Sequence, residues 1–231
     1  MYLRPGLPSR QVQVIEEFIL HGQRFHLYPS RAIHWTDRNI LLLADLHLGK
    51  GAHFRGAGIP VPRAVELENF SRLHQLLRQT RPERVLLLGD LFHSDYNHIW
   101  DDFIALIAAY PTISFELVPG NHDILPDADY QRSGLVMLPE IYDLGPFRFT
   151  HHPQEEGSVP ADLYNLCGHL HPGVHLAGGG GETMRLPCFF FGARQGILPA
   201  FGEFTGCAYL SVRAGDRVFV LTPEAVIDVV E

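Results

Sequence analysis

Three short runs in this chain are apolar almost from end to end, and each stops at a polar cluster. Residues 40–44, Ile40-Leu41-Leu42-Leu43-Ala44, run into Asp45-Leu46-His47. Residues 84–88, ending Val85-Leu86-Leu87-Leu88, run into Gly89-Asp90-Leu91-Phe92-His93. Residues 113–118 end at the turn Pro119-Gly120, and Asn121-His122-Asp123 follows. Runs of this length bounded by turn residues are buried strands. In open α/β sheets, ligands and reacting groups collect beyond the carboxyl ends of strands. Two further clusters complete the set: His151-His152 after residues 147–150, and Gly168-His169-Leu170-His171. Alone, an Asn-His-Asp triplet reads as a polar turn. Five such clusters, most at strand ends, read as a metal site.

The rest of the chain fits around these strands. Residues 12–20 fit either a helix or a strand, and residues 24–28 and 32–35 look like two edge strands separated by Pro29-Ser30. Residues 49–60 are rich in glycine and carry Lys50, His53 and Arg55, the composition of a loop bending around something. Residues 63–80 form an amphipathic helix, with Val65, Phe70, Leu73, Leu76 and Leu77 on one face. Residues 99–109 make a second helix between apolar runs. From about residue 135 the pattern changes to short strands at 135–138, 141–144, 147–150, 174–176, 184–191, 208–212, 217–221 and 225–229, with a Gly178-Gly179-Gly180-Gly181 hairpin tip. A βαβα half feeding a β-meander half predicts two sheets packed face to face with helices outside. No linker divides the chain, so one domain over residues 1–231 is expected.

Composition narrows the function classes. At 231 residues and 46% hydrophobic, the chain can bury the core of one ordinary domain. A net charge of −8 argues against retention on DNA or membrane by a broad basic surface. No run reaches the roughly 18 apolar residues of a membrane helix. Residues 1–13 carry Arg4 and Arg10 but no apolar signal core. The expected location is the cytoplasm, with no membrane partner. Cys167, Cys188 and Cys207 show no CxxC spacing and read as reduced, buried thiols.

Fourteen histidines are many, and neutral imidazole is the commonest side-chain metal ligand. Asp45 and His47 are two apart, which in an extended segment turns both to one side. Asp90 can bridge two cations, because a carboxylate has two oxygens and a charge. Asn121 offers an amide oxygen, and His151, His169 and His171 offer nitrogen. Mixed N/O donors without thiolate suit Mn, Fe or Zn and disfavour copper(I) and iron–sulfur clusters.

The ordered blocks DxH, GDxx, GNH[D/E], a lone His and GHxH resemble the calcineurin-like metallophosphoesterase superfamily, and they span Asp45 to His171. The resemblance implies an α/β fold, a four-layer α/β/β/α sandwich of two mixed sheets flanked by helices. It implies that Asp45, His47, Asp90 and His171 hold one divalent metal. Asp90, Asn121, His151 and His169 then hold a second, and a hydroxide bridging the two attacks phosphorus. His122 would contact the phosphate or the leaving group, and Asp123 would orient His122. Many members carry Asp where His93 follows GDLF; His93 then either supports a ligand or faces substrate. His151 or His152 is the lone-His ligand, with His151 favoured because it ends the strand.

The stretches 44–55, 89–94, 168–173 and Leu198-Pro199-Ala200-Phe201-Gly202-Glu203-Phe204-Thr205-Gly206 are similar to a narrower bacterial group, the ligase-associated DNA-damage-response endonucleases. Membership implies a Mn²⁺-dependent phosphodiesterase that nicks single-stranded DNA in repair, as a homodimer. The gene neighbours would be an ATP-dependent DNA ligase, a helicase-related protein and an exonuclease. Lys50, His53 and Arg55 would grip flanking phosphates, the alternative being a solvated loop. Phe189, Phe190, Phe191, Phe201 and Phe204 are better read as core or dimer packing than as base-stacking groups. His21, His26, His34, His74, His98 and His175 lack motif context and read as structural or surface residues. Two other functions share the same residues: a phosphomonoesterase or small-nucleotide hydrolase, and a non-catalytic repair scaffold.

Overall fold

The computed structural model describes residues 13–56, 58, 60–62, 64–93, 98–177, 183–203 and 205–229. The hairpin tip at Gly178-Gly179-Gly180-Gly181, Phe204 and the first 12 residues lie outside that set.

The first sheet has seven strands in sequence order: β1 (Glu16–Leu20), β2 (Gln23–Tyr28), β3 (Ala32–Trp35), β4 (Ile40–Leu43), β5 (Arg84–Leu88), β6 (Ser114–Val118) and β7 (Val136–Met137). Strands β1 to β4 are antiparallel, and β4 to β7 are parallel. The ambiguous stretch near residue 16 is therefore a strand. It joins β2 through His21-Gly22, both at positive φ (48° and 71°), as a two-residue hairpin turn of primed type requires. Because β1 takes the edge, β2 and β3 are interior strands, not the edge pair expected from sequence.

Parallel strands need crossovers. These contain the helices α1 (Lys50–Gly56), α2 (Ala64–Thr80), α3 (His98–Ala108) and α4 (Asp127–Ser133). The glycine-rich stretch expected as a loop begins as α1. Gly49, at φ 82°, reverses the chain, and the Lys50 N–H closes a turn onto the His47 carbonyl at 3.2 Å. Gly49 precedes the helix, Gly51 lies inside it and Gly56 ends it.

The second sheet comprises β8 (Ile141–Leu144), β9 (Phe147–Thr150), β10 (Tyr164–Cys167), β11 (Pro172–Ala177), β12 (Thr183–Phe191), β13 (Gln195–Ile197), β14 (Ala208–Tyr209), β15 (Arg217–Leu221) and β16 (Val226–Val229). It too is mixed. β9, β10 and β13 run parallel, whereas β8–β9, β11–β12 and β12–β15–β16 are antiparallel. This is not the simple meander expected, since β10 pairs with β13 across a long insertion.

Strand periodicity divides the apolar runs between two cores. Leu41, Leu43, Val85, Leu87, Phe115 and Leu117 face α2, α3 and α4, meeting Leu73, Leu76, Trp100, Phe103 and Tyr130. Ile40, Leu42, Leu86, Leu88 and Val118 face the second sheet, meeting Phe147, Phe149, Leu166, Phe189 and Phe219. The result is two mixed sheets packed face to face and flanked by helices. Truncating one such side chain, as in Leu87→Ala, should cost about 2–5 kcal/mol. Phe189, Phe191 and Phe201 are buried here, which removes them as base-stacking surfaces. Among the described residues, no helix is long and apolar enough to cross a membrane.

Candidate metal centre

The five polar clusters sit where five strands end at their carboxyl side: β4, β5 and β6 in one sheet, β9 and β10 in the other. Backbone pairing continues past the strand ends and fixes the clusters against one another. Asp45 N–H donates to Gly89 at 3.1 Å, His47 N–H to Asp90 at 2.9 Å, and Gly168 N–H to the His151 carbonyl at 3.1 Å. The glycine before two of these blocks is required by close approach. A Cβ at Gly89 would lie 2.2 Å from His151 Nδ1, and one at Gly168 would lie 2.5 Å from Asp45 Oδ2.

The backbone is strained at this place. Asp45, His47, Asp90, His169 and His171 all have positive φ, between 46° and 67°. Each costs an L-residue about 1–2 kcal/mol, and such outliers gather at functional sites. The strain turns five side chains inward from two sheets.

Their donor atoms form two adjoining groups that share Asp90. In the first, His47 Nε2 lies 3.3 Å from His171 Nε2 and 3.8 Å from Asp90 Oδ2, and His171 Nε2 lies 3.4 Å from Asp45 Oδ1. In the second, His151 Nε2 lies 3.2 Å from Asn121 Oδ1, 3.1 Å from His169 Nδ1 and 3.4 Å from Asp90 Oδ1. The two Asp90 oxygens thus address different groups.

Several features make these residues fit divalent cations. Asp45 and Asp90 are 0% and 3% exposed. Among the described residues neither forms an ion pair with Lys or Arg, and Asp45 Oδ1 has no hydrogen-bond partner. Two buried carboxylates side by side need a positive charge. The imidazoles are preset as donors: His151 Nδ1–H donates to the Leu88 carbonyl at 3.0 Å and His171 Nδ1–H to the Gly206 carbonyl at 3.2 Å, so each Nε2 keeps its lone pair. Burial, and then the nearby Lys50 and His171, push the His47 imidazole down to about 2. Burial and the neighbouring His151 also lower His169. Neutral imidazole is the ligating form.

The remaining expected residues divide. His151 is buried at the centre of the cluster, whereas His152 is exposed with its ring 4.2 Å from that of His169. The His122 N–H donates to Asp90 Oδ1 at 3.0 Å. Its ring stacks 4.6 Å from His93 and has no hydrogen bond to a described residue. Asp123 does not orient His122 as expected. Its Oδ1 accepts the Leu91 and Phe92 N–H groups at 2.9 and 3.2 Å, and its Oδ2 accepts Gly120 N–H at 2.8 Å, stapling two ligand loops together. Burial nevertheless pushes its carboxyl up to about 6. His93 Nδ1 lies 3.2 Å from His47 Nδ1, so His93 contacts both a ligand and His122.

Lys50 is half-buried. Burial lowers its ammonium, and Asp90 and Asp45 partly offset this. Arg55 donates to the Val61 carbonyl at 3.2 Å. The His53 side chain lies outside the described set.

The calcineurin-like phosphoesterase family profile matches residues 38–192, more than half of the chain and every candidate ligand. The chain belongs to this family. Among solved structures, this phosphoesterase is similar to the Pseudomonas putida nuclease MPE, with 26% identity over 93% of this chain and 100% of that one, at a TM-score of 0.75. It is also similar to Yfce, a phosphoesterase from E. coli, with 15% identity over 82% of this chain and 97% of that one, at a TM-score of 0.46. Comparison with curated proteins returns no match.

Proposed function

We propose that this phosphoesterase is a two-metal phosphodiesterase that cuts single-stranded DNA, with Mn²⁺ as its working ion and DNA repair as its setting. The observation that carries the reading is the likeness to a nuclease over 100% of that nuclease's length. This likeness reaches beyond residue 192, where the family profile stops. The donor set suits Mn²⁺, being N/O without thiolate.

Asp45, His47, Asp90 and His171 would hold one ion, and Asp90, Asn121, His151 and His169 the other. Such a pair supplies a nucleophile from water at neutral pH and polarises phosphoryl oxygens. The chain supplies the rest. Asp90 sets the spacing of the two positions. His122, anchored through its own N–H on Asp90, offers an imidazole that can donate a proton to the leaving oxygen. Lys50 places a cation beside an otherwise anionic pocket and would draw a substrate phosphate toward it. Asp123 holds the loops that carry Asp90 and Asn121 at a fixed separation.

The test is to supply metal-stripped protein with an aryl phosphodiester, an aryl phosphomonoester and circular single-stranded DNA, with and without Mn²⁺. Mn²⁺-dependent diester cleavage together with nicking of the circle is expected. Monoester cleavage alone would replace this reading with a small-substrate phosphatase, and bound metal without turnover would replace it with a scaffold.

A further inference from the structure

The segment 198–206 contributes none of the ligands, yet it touches the ligand loops at both ends. Leu198 N–H continues the parallel ladder onto the Cys167 carbonyl at 2.8 Å, next to Gly168. Phe201 and Gly202 then donate to the Ala44 and Asp45 carbonyls at 2.8 and 3.0 Å, so the segment lies along the backbone of the Asp45 loop. Contact there is tight: a Cβ on Gly202 would lie 2.3 Å from the Leu46 carbonyl oxygen. At its far end, the Gly206 carbonyl accepts the His171 Nδ1–H at 3.2 Å. Just beyond, Ala208 N–H donates to the His171 carbonyl at 3.0 Å. Both Asp45 and His171 belong to the same ligand group.

Two arginines press this segment down. Arg31 donates to the Ala200 and Gly202 carbonyls at 3.3 and 3.1 Å and meets Glu203 at 3.4 Å. Arg72 donates to Glu203 and to the Phe201 carbonyl, and lies 4.3 Å over the Phe201 ring. Arg31 does so from φ 64°, a left-handed conformation that disfavours a residue with its side chain. That conformation closes the hairpin between β2 and β3, where the Arg31 N–H donates to the Tyr28 carbonyl at 3.0 Å. The Glu203 carboxyl is held below the ordinary range despite burial, because Arg31 and Arg72 stabilise its charge.

We propose that the described residues of this segment, 198–203 and 205–206, act as a positioning strap for one of the two metal positions, locked by Glu203 between Arg31 and Arg72. The strap fixes the Asp45 backbone at its middle, through Phe201 and Gly202, and the tautomer and orientation of His171 at its far end, through Gly206. Losing the lock should loosen the position formed by Asp45, His47 and His171 and spare the one formed by Asn121, His151 and His169. Glu203, Arg31 and Arg72 are positioning residues, since none of them is among the candidate ligands. The inference rests on the two-metal reading above.

Its test is a calorimetric titration of the metal-stripped full chain with Mn²⁺, alongside thermal melting of the metal-free protein. Glu203→Ala should weaken one of two Mn²⁺ sites by about 10–100-fold, the usual effect of removing a group that supports a ligand. The other site should stay near its wild-type affinity. Glu203→Gln, which keeps the acceptor for Arg72, should recover part of the loss. Gly202→Ala, which lifts the strap off Leu46, should reproduce the loss, and it decides the matter if Glu203→Ala fails to fold. Equal weakening of both sites, in step with a lower melting temperature, would mean a merely structural role and overturn the proposal; so would two unchanged sites. A wild-type protein binding fewer than two Mn²⁺ would overturn the two-metal reading and the strap together.

Discussion

The two ends of the central parallel strands each bury carboxylates and treat them in opposite ways. Toward the amino ends, where Arg84 and Ser114 start β5 and β6, the mid-strand Glu116 is 7% exposed. Arg84 on β5 grips it with Nε at 2.8 Å and also with Nη2, which extends to the Tyr142 hydroxyl at 3.0 Å, while Ser114 Oγ donates to Oε1 at 3.0 Å. Hydrogen bonding to Glu116 raises Arg84 above its ordinary range. The charge is matched within the chain. At the carboxyl ends, Asp45 and Asp90 are buried at least as deeply, and Lys50 stands within electrostatic range without forming an ion pair with either. Their neighbours are imidazoles and the backbone N–H groups of His122 and His169. One end is complete as folded, and the other is complete only with cations. Burial alone therefore does not mark the site; burial without a matching cation does.

The strongest way to break this contrast is Asp90→Ala. Removing the shared carboxylate should abolish bound metal at both positions and all turnover, and elemental analysis finding two ions per chain would contradict the shared role. His122→Ala should leave both ions bound and slow diester cleavage by about 10²–10⁴-fold; wild-type turnover would remove it from the chemistry.

Stability should move in opposite directions at the two ends. Glu116→Gln leaves Arg84 without its counter-charge and should destabilise the fold by about 3 kcal/mol, with Mn²⁺ affinity unchanged. Asp45→Asn should do the reverse in metal-free protein near pH 8. It removes an unmatched buried charge, and the new amide oxygen can still accept His169 N–H. Asn also tolerates positive φ, so a gain of about 1–3 kcal/mol is expected, at the expense of metal binding. Chemical denaturation of both variants without metal checks the sign, and a loss at Asp45 would mean that its charge is already matched.

The smallest effect concerns pH. His47 and His169 have imidazoles lowered by burial. Protons should therefore begin to displace Mn²⁺ only below the ordinary histidine pKa of about 6.5. A titration releasing metal above that value would contradict their burial as ligands.

What the sequence showed and what it hid follow the range of the interactions. The seven ligand candidates were legible because each follows a short strand within four residues, and α2 and α3 were legible from helical spacing. Pairing in the second sheet was not, because β10 and β13 meet only after about thirty intervening residues that carry no register signal. The contacts of Asp123 are hidden in the sequence for a similar reason. Its partners are backbone N–H groups at Leu91 and Phe92, which no side-chain pattern announces, whereas the adjacent imidazole of His122 does. The segment 198–206 stood out as a motif, but its purpose depends on Arg31 and Arg72, which reach it from far up the chain. The contact of His93 with His47 spans 46 positions and likewise needed the fold.

The central claim is that seven side chains from two sheets form one site for two ions on either side of Asp90. Anomalous diffraction from crystals of the full chain grown with Mn²⁺ tests it most directly. The account predicts two anomalous peaks roughly 3.5–4 Å apart, one bounded by Asp45, His47 and His171, the other by Asn121, His151 and His169, with Asp90 between them. A single peak, or peaks placed away from Asp90, would contradict it.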